Sequence, residues 1–282
     1  MTCAPVPQGP LLPHGLELPT GRTLVMGILN VTPDSFSDGG LWSDTARALE
    51  HAHTLVDQGA DLIDVGGEST RPGSLRVTGE QEWSRIAGVV EALTAEGVVV
   101  SVDTVHAGTA ARAARAGAAL VNDVSGGRAD PAMAPTVART GCAFVVQHWR
   151  GFPGSPQEDF DYGEDVVGTV CAEILDQVGE AVDRGVDPAR IVVDPGLGFS
   201  LRHVQSWAVL DSVESLTGLG YPVLVGASRK RFLALGGEED RDLATIAITR
   251  RVACAGVWAV RVHEAAGSAQ AVRDVAAGEE RA

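Results

Sequence analysis

The sequence has no apolar run of the roughly 18 residues that a membrane-spanning helix needs, so no span is expected. Its first segment, MTCAPVPQGPLLPHG, lacks a basic stretch leading into an apolar core and does not read as a secretory signal. Cysteine is scarce. Cys3, Cys142, Cys171 and Cys254 form no C-x-x-C pair and have no neighbouring histidine that would complete a zinc pattern. The expected state is therefore four buried free thiols in a reducing compartment, and a cytoplasmic location. Basic residues are also in deficit, 22 against 37 acidic ones, for a formal net charge of −15. That balance counts against nucleic acid or an anionic membrane as partner. It also means that any anionic ligand must be met by a few cations gathered in one place. No G-x-G-x-x-G follows the first strand-like segment, Gly196-Leu197-Gly198 lacks the third glycine, and no P-loop occurs. A doubly wound nucleotide-binding sheet is thereby disfavoured.

What is present is ordinary globular composition in 282 residues, 45% apolar and 21% charged. That length suits one large α/β barrel or two smaller domains. The 34 glycines form no low-complexity run. Seven of them, Gly59, Gly97, Gly117, Gly141, Gly185, Gly220 and Gly256, each close a helix-like segment and precede a short apolar run. A glycine in this place is the usual left-handed helix stop, and short unbroken apolar runs suit strands buried on both faces of a parallel sheet. With the opening strand Thr23–Asn30 this makes eight strand–helix units. The expected fold is a single (β/α)8 TIM barrel over residues 21–282, preceded by a loose N-terminal tail, residues 1–20.

Barrel enzymes carry their chemistry at the C-terminal ends of the strands. Read in order, those ends are Asn30, Asp64, Asp103, Asn122-Asp123, Gln147-His148, Asp194, Gly226 before Ser228-Arg229-Lys230-Arg231, and Arg261 with His263. One aspartate at a strand end is usually a turn former, but amides, carboxylates and bases at all eight ends are hard to explain as caps. Asp103, Asn122, Asp194 and Lys230 suit a flat heterocycle with N–H donors on one edge and a carbonyl nearby. Arg261, His263 and Asn30 suit phosphates in company with Mg2+. The loops after strands 1 and 2, the second over Gly66–Gly73, read as mobile covers.

Several blocks resemble the dihydropteroate synthases: Ile28 to Gly40 (ILNVTPDSFSDGG), Asp64 to Gly73 (DVGGESTRPG), Ser101-Val102-Asp103-Thr104, Val121 to Gly127 (VNDVSGG), Asp194 to Phe199 (DPGLGF), Gly226-Ala227-Ser228-Arg229-Lys230 and Arg261-Val262-His263. They run in order through nearly the whole chain. The resemblance implies a folate-pathway transferase that joins 6-hydroxymethyl-7,8-dihydropterin pyrophosphate to para-aminobenzoate and releases pyrophosphate. It implies a barrel that is commonly a homodimer and a target of sulfonamides. By resemblance Asp103, Asn122, Asp194, Lys230 and Arg261 hold the pterin, with Lys230, Asp103 and Arg261 as the catalytic set. Asn30, Arg261 and His263 meet the pyrophosphate, and Asn30 is the Mg2+ ligand. Phe36, Thr70, Arg71, Pro72 and Ser228 surround para-aminobenzoate, with the amides at the start of the helix after strand 7 helping Ser228 at the carboxylate.

Two related readings compete: a pterin-binding methyltransferase-type barrel and a catalytically inactive paralogue. The first should lack the Asp34–Gly40 loop and the Ser228-Arg229-Lys230 turn, and the second should have lost site residues; neither holds. The chain departs from the family pattern at Gln147, where an apolar methionine is expected, and at Glu264, where aspartate is commoner. His51, His53, His106 and His203 fall on helix-like segments and read as surface or packing residues. His148-Trp149-Arg150 begins a long loop and is a candidate to line the site.

Overall fold

The computed structural model describes residues 3–32, 40–68, 76–233 and 241–278. Its strands are β1 (Leu24–Asn30), β2 (Leu62–Gly66), β3 (Val100–Asp103), β4 (Leu120–Asp123), β5 (Ala143–Gln147), β6 (Ile191–Asp194), β7 (Leu224–Val225) and β8 (Ala259–Val262). The helices are α1 (Gly40–Asp57), α2 (Gly79–Ala95), α3 (Ala107–Arg115), α4 (Met133–Thr140), α5 (Val166–Asp183), α6 (His203–Asp211), α7 (Val213–Thr217), α8 (Arg241–Cys254) and α9 (Ala265–Ala276). All strand pairs are parallel, in the order β6-β5-β4-β3-β2-β1-β8-β7. The remaining seam is drawn together by a parallel bridge between Val193 and Val223 and by Val193 N–H donating to the Pro222 carbonyl at 2.9 Å. This is the expected (β/α)8 barrel. All seven helix-closing glycines have positive φ, from 71° at Gly141 to 102° at Gly59, as a left-handed stop requires.

Strand alternation divides the sequence into two layers. One parity of each strand, including Val25, Leu29, Ile63, Val65, Val102, Phe144 and Val193, packs against the ring of helices. The other parity points inward. Its lower part is apolar: Leu24, Met26, Leu62, Leu120, Val145, Val192, Leu224 and Ala259 form one buried cluster with Trp258. Two residues further along the same strands the inward positions turn polar: Asp64, Asn122, Gln147, Asp194 and Arg261. The register joins these positions side by side, Asp103 to Asn122 and Gln147 to Asp194. The barrel is thus a greasy plug below and a polar floor above.

Two expectations need correction. The N-terminal segment is not loose. Ala4 N–H donates to the Cys254 carbonyl and Leu11 N–H to the Ala189 carbonyl, both at 2.8 Å, while Leu12 and Leu18 pack on the apolar plug. Prolines in this segment stiffen an arm rather than free a tail. Nor are all four cysteines free thiols: Cys3 and Cys254 form a disulfide across 251 residues of sequence. Spacing rules detect only nearby pairs, and this pair meets because the arm docks beside the end of α8. Cys142 and Cys171 remain free, as expected.

Because the bridge ties the arm to the face opposite the polar floor, its removal should act on stability alone. Cys3→Ser should cost about 2–4 kcal/mol, lowering the melting temperature by roughly 5–10 °C, with turnover at 25 °C unchanged. An unaltered melting curve under non-reducing conditions would show that the arm needs no staple.

Candidate active site

Arg261 stands at the centre of the polar floor. It is the third residue of β8 and points inward, with its side chain 21% exposed. Its Nε donates to Asp64 Oδ2 and its Nη2 to Asp103 Oδ2, each at 2.6 Å. Asn122 Nδ2 donates to the same Asp64 oxygen at 3.0 Å. Asp64 is fully buried, and its second oxygen has no partner among the described residues. Burial works against the Arg261 charge, but Asp64 and Asp103 more than offset it and hold the guanidinium's proton more tightly than water would. Burial pushes the Asp103 carboxyl up to about 7; Arg261 opposes this, and the like charge of Asp64 adds to it.

A second charged pair lies across the floor. Asp194 ends β6, and its Oδ1 accepts from Gly196 N–H at 2.7 Å. A Cβ on Gly226 would lie 3.6 Å from Asp194 Oδ2 and 3.9 Å from Lys230 Nζ, so the glycine keeps carboxylate and ammonium clear of any side chain between them. Lys230 Nζ donates to the Leu197 carbonyl and lies 4.6 Å from the centroid of the Phe199 ring. Burial lowers the Lys230 ammonium to about 8, against the pull of Asp194. Burial also raises Asp194, against the pull of Lys230. Two groups, Asp103 and Lys230, are therefore poised near neutrality, as functional sites often require.

The third group is Ser228 with His263. Ser228 Oγ accepts from His263 N–H at 3.1 Å and lies 3.0 Å from His263 Nδ1. The hydroxyl can accept the backbone N–H and still bond the ring nitrogen, so Ser228 holds the imidazole in place at both points. Asn30 closes β1, the strand next to β8, its Oδ1 3.8 Å from where a Cβ on Gly66 would stand. The turn that presents Ser228 and Lys230 is fixed by Arg229, at φ +56°, whose guanidinium binds both oxygens of Asp242 at 2.8 Å.

The structure brings together Asn30, Asp103, Asn122, Asp194, Ser228, Lys230, Arg261 and His263 at one end of the barrel. Phe36, Thr70, Arg71 and Pro72 lie outside the described residues. Between β7 and β8 stand a short 3-10 turn, Arg231–Leu233, and α8 from Arg241; residues 234–240 lie outside the described residues, and with them any helix amides that would support Ser228. His148 is not a lining residue. It is wholly buried, with Nε2 2.7 Å from Glu173 Oε2. Burial pushes the Glu173 carboxyl up, but hydrogen bonds and charge from His148 and Arg150 hold it at about 2. His148 N–H donates to the Asp194 carbonyl at 2.8 Å, so this group braces the floor from behind. His51, His53 and His203 are exposed, as expected of helix surfaces, and His106 sits just before α3, its Nε2 3.1 Å from the Val77 carbonyl. Sequence reasoning passed over Asp64 as a partner of Arg261, although its parity with Leu62 and Gly66 marks it as inward. It also gave no role to Phe199 beside Lys230, although Phe199 closes the Asp194–Phe199 block.

A family model described as "Pterin binding enzyme" matches residues 26–263. A Mycobacterium leprae protein named dihydropteroate synthase is 47% identical over 263 residues, covering 90% of this chain and 92% of its own. Among solved structures, a Yersinia pestis dihydropteroate synthase with a sulfonamide drug superposes with a TM-score of 0.86 at 35% identity, covering 94% of this chain and 97% of that one. A Xanthomonas albilineans dihydropteroate synthase in complex with 7,8-dihydropteroate gives 0.81 at 33% identity, with 93% and 95% covered.

Asp64→Ala should destabilise the fold by about 3–5 kcal/mol, because it strips a buried guanidinium and a buried amide of their shared acceptor. Asp64→Asn keeps an acceptor and should cost less, about 1–2 kcal/mol. Urea denaturation measures both; equal costs would show that the carboxylate is not what holds Arg261.

Proposed function

This chain belongs to the pterin-binding enzymes, and from that membership we propose that it acts as a dihydropteroate synthase. It joins 6-hydroxymethyl-7,8-dihydropterin pyrophosphate to para-aminobenzoate, giving 7,8-dihydropteroate and pyrophosphate. One observation carries the reading: the inward polar layer sets Asp103 beside Asn122, and Asp194 and Lys230 on either side of Gly226, with Arg261 between the carboxylates. Relatives of this length and overlap named for the same reaction support it. No observation favours the methyltransferase-type barrel, since the Ser228–Lys230 turn is present and built around bonded groups.

The atoms left over by the floor's own bonds define the substrate contacts. Asp194 Oδ2 lies over Gly226, and the carboxylate accepts the paired N–H groups of an aminopyrimidinone edge. Asn122 gives its N–H to Asp64, which leaves its oxygen for a ring N–H. Lys230 donates to the ring carbonyl. Arg261 uses two of its five N–H donors on Asp64 and Asp103 and turns the rest toward ring and phosphate. His263 and Arg261 meet the pyrophosphate. Ser228, bonded to His263, links that end to the para-aminobenzoate site, where Phe36, Thr70, Arg71 and Pro72 are assigned from sequence.

The reaction is dissociative. The C–O bond to pyrophosphate breaks first, its leaving charge stabilised by the cationic groups, while the electron-rich dihydropterin carries positive charge at the methylene carbon. The neutral arylamine then attacks, and the ammonium it becomes loses its proton without a strong base. Oxygen donors and the gap left by Gly66 fit Asn30 to a hard cation such as Mg2+, which takes few protein ligands. Bound there, it would neutralise the pyrophosphate. We take the working unit to be a homodimer, with the 71% exposed Val204 of α6 as an apolar contact. The free thiols Cys142 and Cys171 support a cytoplasmic setting, and the Cys3–Cys254 bridge weighs against a permanently reducing one.

Pyrophosphate release that depends on both substrates tests the proposal; release without para-aminobenzoate, or none with both, contradicts it. Lys230→Ala should abolish turnover while leaving the melting temperature nearly unchanged. Because Lys230 has lost its proton above about 8, pterin affinity in the wild type should weaken as pH rises through that value, and calorimetric titration reads this directly. An affinity flat from pH 7 to 9 would remove Lys230 from the ring contact.

A further inference from the structure

We infer that Gln147 contacts the substrate, its carboxamide oxygen accepting an N–H from the exocyclic amino group of the pterin. The inference rests on the pterin reading above and extends it to a residue that reading does not use.

Four observations converge on Gln147. It is the last residue of β5 and shares the inward parity of Ala143 and Val145, which belong to the apolar plug. The register sets it directly beside Asp194, and the strand order places β5 between the strands that carry Asn122 and Asp194. Its Nε2 donates to the Val124 carbonyl at 3.2 Å. A carbonyl only accepts, so the nitrogen must take that side, which turns the oxygen the other way. Finally, although the residue is only 5% exposed, this oxygen has no partner among the described residues and is not among the atoms closed off from solvent. An unpaired amide oxygen at the edge of a ligand floor costs free energy until something donates to it.

Ligand geometry supplies the donor. When Asp194 accepts two parallel N–H bonds from an aminopyrimidinone, it takes the ring N–H and one hydrogen of the amino group. The second amino hydrogen then points past Asp194 toward the neighbouring strand end, where Gln147 stands. The choice of an amide also suits the electrostatics. Asp103, Asp123 and Asp194 are already raised by burial, and a further carboxylate would add like charge to them. Glutamine adds an acceptor without adding charge, whereas the methionine expected from the family pattern would offer no comparable acceptor.

The test is Gln147→Met, which conserves volume and removes the acceptor. Calorimetric titrations would use 6-hydroxymethylpterin and its lumazine counterpart, which bears a carbonyl in place of the amino group. The wild type should prefer the pterin, and the variant should lose about 3- to 10-fold of that preference. Affinity for the lumazine and KM for para-aminobenzoate should stay within twofold. Equal pterin affinity in the two proteins overturns the inference, and so does an equal loss for both ligands, which would mean disturbed packing. If the wild type binds neither ligand, the pterin reading itself fails and Gln147 falls with it.

Discussion

A guanidinium held between two carboxylates inside a closed barrel is the interaction on which the site depends. Arg261, Asp64 and Asp103 come from β8, β2 and β3, which lie close together only because the parallel sheet curls through β1. None of the three is tolerable alone at that depth. A buried charge without its partner costs several kcal/mol, and a half-dismantled cluster costs more than an apolar core would. Through Asp64 the pairing also aims Asn122, while burial, opposed by Arg261, leaves the Asp103 carboxyl near its titration point. The ligand therefore meets groups already oriented by one another, so the cost of ordering them is met on folding rather than on binding.

The two ends of the barrel divide the work. Below, Leu24, Met26, Val145, Val192 and Trp258 fill the interior, and the N-terminal arm seals it with backbone hydrogen bonds and a disulfide. Above, the same strand parity carries charge. A net charge of −15 looked hostile to an anionic substrate. The structure answers by concentrating Lys230, Arg261 and His263 at the polar end, where low dielectric makes each cation count for more than it would on the surface.

The architecture was readable in the sequence because it is written in local terms. Each left-handed glycine follows a helix and precedes an apolar run, and all seven hold that conformation. Most site residues were readable because they sit at strand ends within recognisable blocks. What escaped depends on distant partners. Asp64 could be placed inward, but nothing near it in sequence says that residue 261 will bind it. The Cys3–Cys254 bridge and the docked arm depend on where residue 3 meets α8 in space. Arg229, in a left-handed conformation, ties the Ser228–Lys230 turn to Asp242 of α8, a pairing that nothing local to the turn announces.

The most direct measurement is a crystal structure of the protein soaked with 6-hydroxymethylpterin pyrophosphate. The account predicts density for a flat ring between Asp194, Asn122 and Lys230, with the pyrophosphate running toward Arg261, His263 and Asn30. Density elsewhere, or a ring whose amino edge turns away from Asp194, would contradict it.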